Sequence, residues 1–153
     1  MSVRLVREPI DLVALQAVTS ADGALCLFVG VVRDHNDGRR VLRLEYEAYE
    51  PLAVRAFEQI AGEAAALWPA CRLGIHHRTG GVAIGEASIV IVAASAHRGE
   101  AFAASRYAIE RVKQIAPIWK HEYFEGGDVW IEGAVAAADD AAAREKAEKL
   151  ACA

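Results

Sequence analysis

Apolar residues run unbroken through A-L-C-L-F-V-G-V-V at 24–32, and nearly so through A-S-I-V-I-V-A-A-S at 87–95. Runs of this length, rich in β-branched residues, predict strands, and the first reads as buried on both faces. Residues 41–49 alternate instead: Leu42, Leu44, Tyr46 and Ala48 point one way, Arg43, Glu45 and Glu47 the other. That pattern predicts a half-buried strand. The N-D-G turn at 36–38 predicts antiparallel pairing between it and the preceding run.

Shorter segments fill in the rest. Val3 and Leu5 predict a strand over 2–7, and Asp11 is placed to cap a short helix over 11–18. Pro51 suits the start of a helix whose apolar positions Ala53, Ala56, Phe57, Ile60, Ala64, Leu67 and Trp68 keep helical spacing up to Pro69. Residues 72–78 read as a strand, and Gly80-Gly81 as a hairpin turn. A helix over 100–115 is expected, with Phe102, Ile109, Val112 and Ala116 inward and Pro117 as its stop. Strands 118–124 and 128–132 flank a G-G-D turn, and Asp139 or Asp140 caps a last helix running to Leu150. The order β-α-β-β-α-β-β-α-β-β-α, with antiparallel hairpins, predicts an α+β fold in one domain, 1–153.

Composition narrows the function classes. The chain is 54% hydrophobic and carries a net charge of −4, which excludes a broad nucleic-acid surface but leaves room for a local cationic site. Arg4, Arg7 and Glu8 interrupt any apolar leader, and no apolar run approaches a membrane span. Cys26, Cys71 and Cys152 are odd in number and widely spaced, as expected of reduced thiols in a cytoplasmic protein. No His/Cys pair has the spacing of a metal site, so no metal or cofactor is expected.

The cations gather where elements end. Lys113 lies in the last turn of the helix stopped by Pro117, and Lys120 follows between Trp119 and His121. Two neighbouring ammonium groups repel, and the repulsion lowers the pKa of one, freeing an amine for proton transfer or nucleophilic attack. The plain alternative for Lys113 is a solvated lysine favoured by the negative end of the helix. His97 and Arg98 sit where an apolar strand gives way to a helix, a place suited to an anion; His97 could equally cap or pack. Arg33 ends the first apolar run.

F-V-G-V-V-R-D-H-N-D-G, L-E-Y-E-A-Y, H-R-T-G-G-V-A-I-G-E, A-H-R-G-E-A-F and V-K-Q-I-A-P-I-W-K-H-E occur in this order between residues 28 and 122. Together they resemble the large, catalytic subunits of molybdopterin synthase, the MoaE family, over about residues 23–132. The resemblance implies an α/β hammerhead-like fold with an added antiparallel β subdomain. It implies a homodimer that binds a small ubiquitin-like sulfur-carrier subunit at each end, within a heterotetramer. It implies sulfur transfer from the carrier's C-terminal thiocarboxylate to cyclic pyranopterin monophosphate. By the same resemblance, Lys113 and Lys120 are the catalytic lysines, and Arg33, His97 and Arg98 bind substrate. The segment 134–153 lies outside the match as an Ala-rich tail. A non-catalytic module that docks a ubiquitin-like tail is the alternative: it needs only positive charge, whereas an enzyme needs a titratable amine.

Overall fold

The computed structural model describes residues 1–153. Two sheets and three helices make up the α+β architecture expected from the sequence. The first sheet contains β1 (Val3–Val6), β5 (Arg72–Arg78), β7 (Ala87–Ser95) and β2 (Ala24–Val31), in that spatial order. Only β1 and β5 run parallel. The second sheet is antiparallel and centres on β4 (Arg39–Ala48). It pairs with β8 (Ile118–Phe124), which pairs in turn with β9 (Gly127–Ile131). The short strands β3 (His35–Asn36) and β6 (Gly80–Val82) also pair with β4.

Helices α1 (Glu50–Leu67) and α2 (Arg98–Ile115) pack on the first sheet, and α3 (Ala141–Ala151) packs on α2. Phe57 and Ile60 from α1, Val112 and Ile115 from α2, Ile75 and Ile91 from the sheet and Ile118 from β8 form the main core. Burying each such side chain contributes about 1.5–3 kcal/mol. A smaller cluster of Val32, Val41, Leu44 and Val82 fills the second sheet.

Several local expectations change once packing is considered. Residues 11–18 form no helix: Asp11 accepts bonds from Val13 and Ala14 and caps a single turn. A segment this short does not offset the cost of nucleation. Strand β2 is an edge strand rather than one buried on both faces, with Leu25, Phe28 and Val31 exposed. Its partner is β7, not β4. The turn signal instead closes the small β3–β4 hairpin, where Asp37 (φ 48) and Gly38 (φ 74) both take the left-handed conformation of a tight two-residue turn.

Leu42 is 49% exposed, because an irregularity between Val41 and Arg43 reverses the alternation and buries Val41 and Leu44. Phe102 also faces outward, at 62% exposed. The first turns of α2 bury the small residues Ala101, Ala104 and Ala108, which let that part of the helix approach the sheet closely. Gly80-Gly81 belongs to a paired strand rather than a turn, with Glu45 opposite Gly81 and Tyr46 opposite Gly80.

A buried polar clasp ties the helices together. Arg111 on α2 is fully buried and donates to Glu63 of α1 through Nε (2.9 Å) and Nη2 (2.9 Å). Tyr107 Oη donates to the same carboxylate at 2.7 Å. Arg111 Nη2 and Gln59 Nε2 both donate to the Ala138 carbonyl, and Val135 and Ala136 N–H groups donate to Gln114 O. The chain after β9 is thereby strapped across the end of α2. Gly133 makes the strap possible: a Cβ there would stand 1.9 Å from Ile118 O. The expected tail helix is present as α3, with Asp140 accepting from Ala143 N at 3.0 Å.

Burial pushes the Glu63 carboxyl up, but the bonds from Arg111, Gln59 and Tyr107 outweigh it and hold the group below its ordinary value of 4.5. The clasp therefore contributes fully above that pH and weakens as pH falls through the lower, folded value. Arg111→Ala leaves Glu63 without its cation and is expected to cost about 3 kcal/mol of stability, measured by urea unfolding at pH 7.

Candidate functional site

The last turn of α2 faces β8 across a cleft of about 210 Å³ between the two sheets. Lys113 and Lys120 line it, together with Arg33 from the link after β2, His35 from β3, and Tyr46 and Glu122. A second cleft of about 160 Å³ adjoins the same lysines from the other side. Its walls are mostly apolar, from Val112, Ala116, Ile118 and Ile131, and end at Gly133. The lysine pair thus stands where two clefts meet.

Local chemistry explains the placement. Pro117 cannot continue α2, so the chain turns into β8 directly after the helix and brings Lys120 back toward Lys113. Lys120 and Glu122 are two apart on a strand and share a face. Gly30 forms part of the floor, where a Cβ would stand 2.6 Å from Ile89 Cγ2.

Lys113 can be reached from solvent yet is crowded by protein atoms, and the crowding governs its charge. Desolvation lowers its pKa, and the nearby Lys120 lowers it further. It has no carboxylate within salt-bridge distance. Lys120 does: Nζ lies 3.8 Å from Glu122 Oε2. Asn36 Nδ2 donates to that oxygen at 3.0 Å, and Arg39 Nη2 stands 3.9 Å from Oε1. His77 adjoins the second cleft as a neutral ring, its pKa driven down to about 4 by burial, with a smaller push from Lys113. Its Nδ1 faces the Arg78 carbonyl at 2.7 Å, so that nitrogen carries the proton.

Three residues singled out in the sequence, Arg33, Lys113 and Lys120, line one cleft. His97 and Arg98 do not. They are exposed at the start of α2, with His97 making no side-chain cap. Sixteen residues separate His97 from Lys113, about 24 Å along the axis at 1.5 Å per residue. Within one chain these two form no common pocket with the lysines. Glu122, Asn36, Tyr46 and His77 were not singled out from the sequence as site residues. For Glu122 a signal existed, its two-residue offset from Lys120 on a strand; Asn36, Tyr46 and His77 arrive on other strands, β3, β4 and β5.

Fold and cleft together define an α+β protein that converges an amine pair and a guanidinium on a small concave site. The chain belongs to the MoaE protein family, whose model matches residues 5–115. It is 50% identical over 109 residues to the molybdopterin synthase catalytic subunit of Bacillus subtilis (strain 168), covering 71% of this chain and 69% of that one. Among solved structures, it is similar to molybdopterin synthase from Staphylococcus aureus, with a TM-score of 0.81 and 39% identity over 83% of this chain and 94% of that one. It also resembles a chain in the complex of subunits 1 and 2 of molybdopterin-converting factor from Helicobacter pylori 26695. There the TM-score is 0.70, with 28% identity over 84% of this chain and 88% of that one.

Because Lys120 is the second cause of the lowered Lys113 pKa, Lys120→Met is expected to raise it, though not to the ordinary 10.5, since the desolvation by crowding protein atoms remains. Titration of the Lys113 side-chain NMR signal measures the change.

Proposed function

We propose that this chain is the catalytic subunit of a molybdopterin synthase. In this reading it is a sulfurtransferase of molybdenum cofactor biosynthesis that converts cyclic pyranopterin monophosphate to molybdopterin. The sulfur comes from the C-terminal thiocarboxylate of a small ubiquitin-like carrier subunit. Family membership supports the assignment, and the observation that carries it is the lysine pair at the junction of two clefts. Both reactants are anions, so a cationic meeting point serves binding and chemistry together.

In the proposed reaction, the thiocarboxylate sulfur attacks a side-chain carbon of the pterin and forms a new C–S bond as a C–O bond at that carbon breaks, the oxygen leaving protonated as water or staying on the phosphate. Water then cleaves the acyl–sulfur bond, returns the carrier as a carboxylate and leaves the sulfur on the pterin. A second carrier repeats the transfer. Lys113, with its lowered pKa, is the proton-transfer group. Lys120 holds the anion and tunes Lys113, and Arg33 binds the phosphate or the terminal carboxylate. The second cleft, walled in part by Val112, Ala116, Ile118 and Ile131, suits a Gly-Gly tail, which has no Cβ to clash.

His97 and Arg98 reach such a ligand only from a second copy of the chain, so a homodimer within a heterotetramer is built into this reading. The reading also takes residues 1–153 as one domain in the cytoplasm, in keeping with three free cysteines. No helix is long and apolar enough to cross a membrane.

Incubation with thiocarboxylated carrier and cyclic pyranopterin monophosphate is expected to yield the dithiolene product; its absence overturns the assignment. Lys113→Ala is expected to fold normally and lose activity by roughly 100-fold or more. Lys113→Arg is expected to be equally inactive, because a guanidinium does not titrate; full activity would favour a docking role. Mixing Lys113→Ala with Arg98→Ala chains is expected to restore part of the activity that each lacks, measured as product formed after subunit exchange.

A further inference from the structure

Glu122 is 1% exposed, and a carboxylate so deeply placed is costly unless charges and donors compensate it. Its Oε2 takes the Asn36 bond at 3.0 Å and faces Lys120 at 3.8 Å. Its Oε1 accepts no hydrogen bond, and Arg39, whose Nε is likewise unpartnered, stands 3.9 Å away. This buried acid lines the cleft that receives anions in the reading above, where a negative group opposes binding unless it has another task.

We propose that Glu122 is a positioning residue: its carboxylate fixes Lys120 and Asn36 against the cleft wall and offsets the charge that Lys120 turns toward Lys113. The division of labour between the lysines then follows from geometry. Lys120 has a carboxylate within 4 Å and serves as the standing cation. Lys113 has none and is the amine that exchanges its proton.

The other groups around Lys113 do not supply this offset. Tyr46 from β4 and His77 from β5 carry no charge near neutral pH, as burial drives the phenol pKa up and the imidazole pKa down to about 4. Arg33 and His35, from the link and strand after β2, add positive charge or none. Arg39 from β4 is cationic, and Glu132, beyond β9, is a solvent-exposed carboxylate at the rim of the second cleft. Glu122 is the one buried anion beside the pair.

The catalytic consequence rests on the sulfurtransferase reading; the electrostatic one does not, and the test separates them. In the full-length protein without carrier or substrate, Lys113 is titrated by isotope-edited NMR of lysine side chains, its signal assigned through Lys113→Arg. Glu122→Gln keeps the side-chain size and an acceptor for Asn36 but removes the charge. The Lys113 midpoint is expected to fall by about one pH unit, as for loss of an opposing charge nearby. With carrier and substrate, the acidic limb of the kcat–pH profile should fall with it. Glu122→Asp keeps the charge and is expected to keep the midpoint near wild type.

Should Glu122→Gln not fold, Glu122→Gln combined with Lys120→Met removes both charges, and its Lys113 midpoint should lie below that of Lys120→Met alone. An unchanged Lys113 midpoint in folded Glu122→Gln overturns the proposal, as does an equal shift in Glu122→Asp or a double variant whose midpoint equals that of Lys120→Met alone. Failure of the wild-type protein to transfer sulfur overturns the functional reading and leaves the titration result standing.

Discussion

The position of α2 controls the rest of the molecule, and a single buried guanidinium holds it. Arg111 has no exposed surface and sits two residues before Lys113. Its fork grips Glu63 on α1 and reaches the Ala138 carbonyl beyond β9. A buried cation must be paired on all sides or the fold loses several kcal/mol, so the network tolerates little movement. The same residue that joins two helices and the C-terminal strap therefore sets where the last turn of α2 lies against β8.

From that fixed point the cleft follows. The small residues buried by the first turns of α2 allow close approach to the sheet there, and Pro117 redirects the chain into β8. Strand β4 joins the two regions, because its later residues pair with β8 on one side and with β6 on the other. Tyr46 on β4 lines both clefts and packs edge-on against His77 at 5.1 Å. Charge is distributed unequally over this frame. One lysine lies beside a buried carboxylate, while the other is crowded and repelled. The surroundings alone thus lower the proton affinity of Lys113.

The outer surface bears on assembly. Strand β2 lies at the edge of its sheet with Leu25, Phe28 and Val31 exposed, and β9 exposes Trp130, which stacks on His121 at 4.2 Å. The proposed site residues split in the same sense: Arg33, Lys113 and Lys120 belong to one cleft, while His97 and Arg98 stand at the far end of α2. A single chain supplies the amine pair and one guanidinium, and leaves the remaining cations on a separate surface.

Much of this was legible in the residues. The long apolar runs, the helical spacing between Pro51 and Pro69, the stop at Pro117 and the α+β order all depend on local periodicity and backbone chemistry, which a sequence displays directly. The ordered motifs marked the family, and three of five named site residues share the cleft. Tertiary structure decided the rest. Which strand neighbours β2, the reversal at Leu42 and the outward turn of Phe102 depend on partners distant in the chain. The single turn after Asp11 shows local propensity failing without tertiary support. Glu122 showed its offset from Lys120 in the sequence, but not its burial. It became part of the site only when folding buried it beside Lys120 and brought Asn36 across from another strand, because burial and the distance between charges are properties of the packed chain.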